Sequence, residues 1–129
     1  IRLLDMGVDP YLIASTVRSF IAQRLVRVVC DGCREWYEAS GRRMSRGRGC
    51  RQCNGTGYRG RVAICEVMTL VPPLQDLILK RTSAREIRDR AVKLGMVTLA
   101  ADGWDKVRQG ITTADEVLRV TFDTQSEVA

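Results

Sequence analysis

The sequence contains no histidine and has few aromatic residues or prolines. Its 129 residues include two Trp, three Tyr, two Phe and three Pro. Without histidine, the chain lacks the side chain that most often moves protons or ligates metals near neutral pH. It also lacks a Gly-x-x-x-x-Gly-Lys-Ser/Thr phosphate loop. No serine or cysteine stands in a recognisable nucleophile setting. The sequence therefore predicts no catalytic constellation.

The chain also lacks long apolar runs and the usual features of a protein's start. No stretch approaches the eighteen or more apolar residues of a membrane-spanning helix. The opening residues, Ile1 to Asp5, show neither an initiator Met nor a signal-peptide pattern. This start indicates an internal fragment of a longer protein.

The composition is that of a globular chain with a modest positive charge. Hydrophobic residues make up 45% and charged residues 28%, with a formal net charge of +6. Four thiolates around one Zn²⁺ would form a centre of about −2 and lower that net charge to about +4. Such a surplus does not by itself call for a nucleic-acid partner.

Hydrophobic spacing and capping residues predict a mainly α fold with a small β element. Asp9 and Pro10 mark a helix start, and the helix is expected to run from about 10 to 28. Its predicted buried stripe consists of Ile13, Val17, Phe20, Ile21, Leu25 and Val28. Residues 61–68 have the β-branched character of a strand.

After Pro72 and Pro73 the chain reads as a series of short helices. Capping boxes begin at Ser83 and at Thr113, and Gly95 and Gly110 follow helical patterns. The expected organisation is residues 1–29 at the end of a larger core, 30–57 as a metal-binding subdomain, 58–122 as a strand with a helical subdomain, and 123–129 as a flexible tail.

Four of the five cysteines form two pairs with the spacing of a metal site. Cys30 and Cys33 are one pair, Cys50 and Cys53 the other, and sixteen residues separate the pairs. Two such pairs together offer tetrahedral four-sulfur coordination, which zinc favours and iron can also take. Four thiolates leave no open position for a catalytic water, so the metal is expected to be structural. It would also supply folding energy to residues 30–57, where apolar residues are few.

Other interpretations of the cysteines fit less well. Redox Cys-x-x-Cys pairs need a thioredoxin-like βαβ setting, which is absent. The Cys-x-x-Cys-x-Gly-x-Gly unit at 50–57 is the repeat of the J-domain co-chaperone zinc domain, but that domain needs four units and this chain has one. Cys65 stands outside the pattern and is expected to be a small core residue on a strand.

A cluster of arginines accompanies the cysteine pairs, and two interpretations of it stay open. One interpretation is a solvated loop that offsets an anionic metal centre, and the other is a contact surface for an acidic partner or nucleic acid. Few aromatic residues lie nearby, so a base-stacking platform is poorly supported. The cluster consists of Arg42, Arg43, Arg46, Arg48 and Arg51.

Three segments together resemble the C-terminal end of the secretion-superfamily hexameric ATPases, which serve type II secretion and type IV pilus assembly. The resemblance spans about residues 1 to 121. The segments that carry it are RLLDMGVDPYLIAS with IAQRLVR, then GCRQCNGTGYRGRV with EV, then GMVTLAADGWDKV with GITT and EVLRVT.

The resemblance implies that Cys30, Cys33, Cys50 and Cys53 bind a structural zinc ion beside a RecA-like ATPase domain. It implies ATP and Mg²⁺ only in the longer parent, whose nucleotide-binding motifs would lie upstream. The parent would be a homohexamer at the cytoplasmic face of the bacterial inner membrane. Its partners would be the inner-membrane platform and the cytoplasmic domains of the secretion or pilus machinery, with no nucleic acid.

A free-standing zinc ribbon that binds nucleic acid or protein is the alternative function. Nucleic-acid binding by such a module would show a steep salt dependence, whereas the ATPase fragment is expected to show no nucleic-acid binding.

Overall fold

The computed structural model of the chain describes residues 2–128, and side chains only as far as Phe122. The chain forms two helices, then four strands, then four helices. In chain order they are α1 (Arg2–Asp5), α2 (Pro10–Thr16), β1 (Ser19–Val29), β2 (Arg34–Ala39), β3 (Arg42–Gly47), β4 (Tyr58–Thr69), α3 (Pro72–Leu79), α4 (Ala84–Lys93), α5 (Leu99–Arg108) and α6 (Ala114–Val128).

These elements fall into two compact units. The first is built mainly from the residues up to Ala22 and from Glu66–Thr98, and the second from Gln23–Cys65 and Leu99–Glu127. The long strands β1 and β4 pair with each other and contribute one end to each unit. The predicted metal-binding segment 30–57 lies wholly within the second unit.

The first unit packs four short helices around an aliphatic core. As predicted, the Asp9 carboxylate caps α2 by accepting a hydrogen bond from the Tyr11 N–H at 2.8 Å. Ser83 caps α4 by accepting from the Glu86 N–H at 3.2 Å. Pro72 occupies the first turn of α3, where its missing N–H has no intrahelical partner to lose. The buried core consists of Ile13, Leu70, Leu74, Ile78, Ile87 and Ala91.

The predicted helix from 10 to 28 is wrong beyond Thr16. The chain turns extended at Val17 (φ −79°, ψ 128°) and continues as β1. The hydroxyls of Ser15 and Thr16 both donate to the Leu12 carbonyl at the helix end. The predicted stripe is not buried as a unit, since Ile21 is 68% exposed. Pairing with β4 prevails over the helical spacing, which is a weak local preference.

The second unit holds the other part of the β1–β4 ribbon, the hairpin β2–β3, and helices α5 and α6. Val26, Ile64 and Leu99 form its small buried core. Gly103 lies on α5 against this core, and a methyl group there would come within 2.8 Å of a Val117 methyl. A two-residue turn at Ser40 and Gly41, both with positive φ, joins the strands of the hairpin.

The β content is larger than predicted, so the mainly α prediction is confirmed only in part. Strands β1 and β4 are 11 and 12 residues long, and the hairpin adds two strands of six. The predicted strand at 61–68 is confirmed within β4. A flexible tail was predicted for 123–129. The backbone of 123–128 belongs to α6, and the side chains of this segment and residue 129 lie outside the described residues. Among the helices of residues 2–128, none has the length and apolar character that a membrane-spanning helix requires.

Candidate metal centre

The second unit brings the four predicted cysteines together. Their Sγ atoms all lie within 4.8 Å of one another. The Cys30 and Cys50 sulfurs are 3.7 Å apart, and the Cys33 and Cys53 sulfurs 3.8 Å apart. Among the residues that the structure describes, no other group of three or more Cys, His, Asp or Glu side chains converges in this way.

The sulfur spacing fits tetrahedral coordination of one metal ion. A Zn–S bond of about 2.3 Å at the tetrahedral angle places neighbouring sulfurs about 3.8 Å apart. The Cys50–Cys53 pair is also separated by 3.8 Å, so three of the six edges of the tetrahedron match this value. The four thiol groups can therefore hold a four-coordinate ion without a rearrangement of the backbone.

Tight turns and backbone N–H groups place the sulfurs. Cys30 directly follows β1, Cys33 directly precedes β2, and Cys50 and Cys53 lie in the loop between β3 and β4. The Gly49 N–H donates to the Cys33 sulfur at 3.2 Å. The N–H groups of Cys50 and Gly57 donate to the Cys53 sulfur, each at 3.2 Å. Such N–H donors orient thiolates and offset their charge.

The protein environment acts differently on two of the thiols. Burial raises the pKa of Cys33 to about 11, against the opposing effect of the Gly49 N–H. Burial also acts to raise the pKa of Cys53, but the N–H donors from Cys50 and Gly57 prevail and lower it to about 6. The backbone N–H donors of the loop thus favour the thiolate of Cys53, whereas burial favours the neutral thiol of Cys33.

The arrangement supports a structural metal rather than a catalytic one. Cys30 and Cys53 are buried at 0% and 4% exposure, and Cys33 and Cys50 are half-buried. Four thiolates would take all four positions of a tetrahedral ion and would leave no site for a substrate or a water. Cys65 lies on β4 outside the cluster, half-buried, with its N–H donating to Asp102. Its predicted place on a strand is confirmed, but the half-buried side chain is not part of the buried core as predicted.

Gly47 and Gly57 let the end of β3 and the start of β4 approach each other closely beside the sulfurs. Gly57 has φ +82°, and a methyl group on it would collide with the Gly47 backbone carbonyl. Its own carbonyl accepts the Cys30 N–H at 2.9 Å. Gly55, two residues earlier, has φ +77° but open space around it.

Alanine substitutions at Gly55 and Gly57 therefore give a matched test of this close approach. We expect Gly55→Ala to destabilise the zinc-loaded chain by about 1 kcal/mol, because of positive φ alone. We expect Gly57→Ala to destabilise it by about 2–4 kcal/mol, because the backbone collision adds to the same strain. Urea unfolding of both variants measures the difference; equal losses would show that the approach is not restrictive.

A buried carboxylate, which the sequence did not single out as a site residue, fixes the strand that leads into Cys30. Glu116 on α6 is 1% exposed and accepts the Arg27 N–H at 2.8 Å. It also binds the guanidinium groups of Arg27 and Arg119, at 2.8 and 2.9 Å. The hydrogen bonds from the two arginines lower the Glu116 pKa to about 2 although burial opposes this.

Further bonds join the same end of β1 to the turn before α6. The Val29 N–H donates to the Ile111 carbonyl at 2.9 Å, and the Thr112 hydroxyl donates to the Arg27 carbonyl at 2.7 Å. The predicted cap at Thr113 is confirmed, since its hydroxyl accepts the Glu116 N–H at 3.3 Å. The capping-box pattern thus predicted the hydrogen bond at the Glu116 N–H. It did not predict that the Glu116 carboxylate binds the two arginines.

Comparisons with known proteins agree with the resemblance noted in the sequence. The profile of the family described as "Type II/IV secretion system protein" matches residues 1–119. The type II secretion system ATPase E of Vibrio cholerae is 39% identical over 93% of this chain and 26% of its own length. The type IV pilus assembly ATPase PilB of Thermus thermophilus is 39% identical over 95% of this chain and 15% of its own. The type II secretion system protein E of Pseudomonas aeruginosa is 38% identical over 93% and 26%. The chain thus spans about a quarter or less of these relatives.

Proposed function

The chain belongs to the type II/IV secretion system protein family, and from this we propose that it is the zinc-binding and helical region of a hexameric ATPase. The parent ATPase would power type II protein secretion or type IV pilus assembly, as the names of the relatives indicate for them. The observation that carries the proposal is the family match over 1–119 together with the tetrahedral four-cysteine cluster inside it.

Zinc is the metal that we propose for the cluster. Zinc and iron both accept four thiolates, but zinc has no redox chemistry and suits a centre that only holds a fold together. Cys30, Cys33, Cys50 and Cys53 would be the ligands. The bound ion would tie the end of β1 to the loop between β3 and β4.

The role proposed for this region is architectural. It would hold the metal-bound segment and the helices beside a RecA-like core, and the parent would use ATP and Mg²⁺ bound elsewhere. We propose that the parent is a homohexamer that acts at the cytoplasmic face of the inner membrane. Its partners there would be the membrane platform and the cytoplasmic domains of the machinery.

We expect the isolated 129-residue chain to hydrolyse no ATP, because its sequence holds no phosphate loop. The full-length protein that carries this chain is expected to hydrolyse ATP, and a substitution of its phosphate-loop lysine serves as the background control. A phosphate-release assay on both proteins tests this. Turnover by the pure 129-residue chain, or none by the full-length protein, would refute the proposed function.

A further inference from the structure

The chain contains one asparagine, Asn54, and a glycine follows it directly. Asparagine deamidates most readily before glycine, because a glycine has no side chain to hinder attack by its nitrogen. Both residues are exposed in the loop between β3 and β4. A methyl group placed on Gly55 would meet no atom within 4 Å, so the space around the pair is open. Asn54 is therefore sterically accessible to deamidation.

Deamidation at this pair is a ring closure followed by hydrolysis. The Gly55 nitrogen attacks the Asn54 Cγ, so that a new bond forms between them and the bond from Cγ to Nδ2 breaks. The nitrogen gives its proton to water, and the side-chain amide leaves as ammonia. Water then opens the five-membered succinimide at either carbonyl and leaves aspartate or isoaspartate at position 54. Water is the only co-reactant, and no oxidant or reductant takes part.

Hydrogen bonds in the folded loop hold the attacking nitrogen in place. The Gly55 N–H donates to the Cys50 carbonyl at 2.9 Å, and ring closure removes the proton of this same N–H. The next residue is fixed as well, since the Thr56 N–H and hydroxyl donate to the Cys53 carbonyl at 3.1 and 2.7 Å. The loop must therefore open locally before the ring can close.

The two residues whose carbonyls accept these bonds also carry sulfurs of the cysteine cluster. The Cys50 and Cys53 sulfurs lie 3.8 Å apart, and a bound ion would tie them together. A structural zinc site contributes on the order of 10 kcal/mol to folding, so the bound ion would keep the loop closed. A reaction that needs local opening proceeds in proportion to the population of the open state. Metal occupancy is therefore expected to set the rate of deamidation.

We propose that Asn54 is a deamidation site that the bound metal protects, and that its modification makes loss of the metal irreversible. This site lies beyond the proposed function and depends on it only for metal binding by the four cysteines. Either product adds a negative charge beside Cys53, where four thiolates around one Zn²⁺ already form a centre of about −2. Isoaspartate also adds one backbone atom between Cys53 and Gly57, whose N–H donates to the Cys53 sulfur at 3.2 Å. Both changes disfavour a second binding of the metal.

Peptide mapping by mass spectrometry tests the protection on the zinc-loaded chain and on the same chain stripped by a chelator. Both samples are kept at neutral pH with a thiol reductant, which excludes disulfides as the cause of a difference. Position 54 should deamidate at least about tenfold faster in the stripped chain. Without chelator, Cys50→Ser should deamidate as fast as the stripped chain, whereas Cys65→Ser should stay as slow as the zinc-loaded wild type. Equal rates in the loaded and stripped wild type would overturn the proposal.

Zinc rebinding tests the consequence of the modification. Once position 54 is fully converted, the wild-type chain should bind zinc at least about tenfold more weakly than a freshly stripped sample. Asn54→Gly is the matched control, because glycine accepts the positive φ of this position (+54°) and has no side-chain amide to lose. The aged variant should bind zinc as tightly as its fresh counterpart.

Two results would contradict different parts of the account. Full rebinding of zinc by the converted wild type, or an equal loss of binding in aged Asn54→Gly, would overturn the proposal and leave the metal site intact. A fresh wild-type chain that takes up no zinc would contradict the proposed metal site itself, and the protection with it.

Discussion

Replacing Cys50 with serine is expected to release the metal and unfold residues 30–57. Structural zinc sites contribute on the order of 10 kcal/mol to folding. The segment has little apolar core of its own, since the buried apolar side chains of its unit lie mainly outside it. Zinc content by mass spectrometry should fall from one equivalent to near none. Amide resonances of the segment should collapse to unfolded positions.

Cys65→Ser is the matched control for this result. Cys65 is half-buried on β4 in the same unit and lies outside the sulfur cluster. The variant should keep one equivalent of zinc and the spectrum of residues 30–57. If Cys50→Ser kept a full equivalent of zinc and native-like resonances there, the ligand assignment would be wrong.

Replacing Glu116 with glutamine is expected to destabilise the chain by about 2–3 kcal/mol at pH 7. The carboxylate is buried, and its charge is stabilised by the Arg27 N–H and by the guanidinium groups of Arg27 and Arg119. An amide in its place loses the ionic part of those bonds. Because the arginine side chains are about half exposed, water offsets part of the loss. Chemical denaturation at pH 7 measures the difference.

The size of this effect should depend on pH in one direction. The folded pKa of Glu116, about 2, lies below its ordinary value of 4.5, so its contribution is fully present above about pH 5. As the pH falls toward 2 the carboxylate becomes protonated, and the wild type and Glu116→Gln should converge. Any loss of metal in acid occurs in both proteins and cancels in the difference.

Asp115→Asn is the neighbouring control for Glu116→Gln. Asp115 is exposed in the first turn of α6, where a carboxylate contributes less than about 1 kcal/mol through the helix dipole. Its substitution should therefore change stability little at any pH. A Glu116→Gln effect no larger than that of Asp115→Asn would show that the buried ion pairs do not stabilise the unit.

The helix caps and the cysteine cluster could be predicted from the sequence, because both depend on residues close together in the chain. Side-chain caps at Asp9, Ser83 and Thr113 are short-range hydrogen bonds, and the structure forms all three. The spacing of the cysteine pairs predicted which four thiol groups meet, because each pair can reach one ion from a tight turn. That the ion is zinc stays a prediction.

Features that depend on distant partners could not be predicted in the same way. Residues 17–28 have helical apolar spacing, but β4, some forty residues later, pairs with them as a strand. The sequence of the β2–β3 hairpin shows no alternation of apolar residues. A hydrogen bond to Gly110 and stacked arginines hold the hairpin in place instead. The ion pair between Glu116 and Arg27 joins residues 89 positions apart. In each case the deciding contact is long-range.

X-ray absorption spectroscopy at the zinc edge, on the chain purified without added chelator, tests the proposed four-sulfur zinc site. We expect one zinc ion per chain with four sulfur neighbours at about 2.3 Å and no nitrogen or oxygen bound to the ion. A first shell with fewer than four sulfurs, or a chain that folds identically with no metal bound, would contradict it.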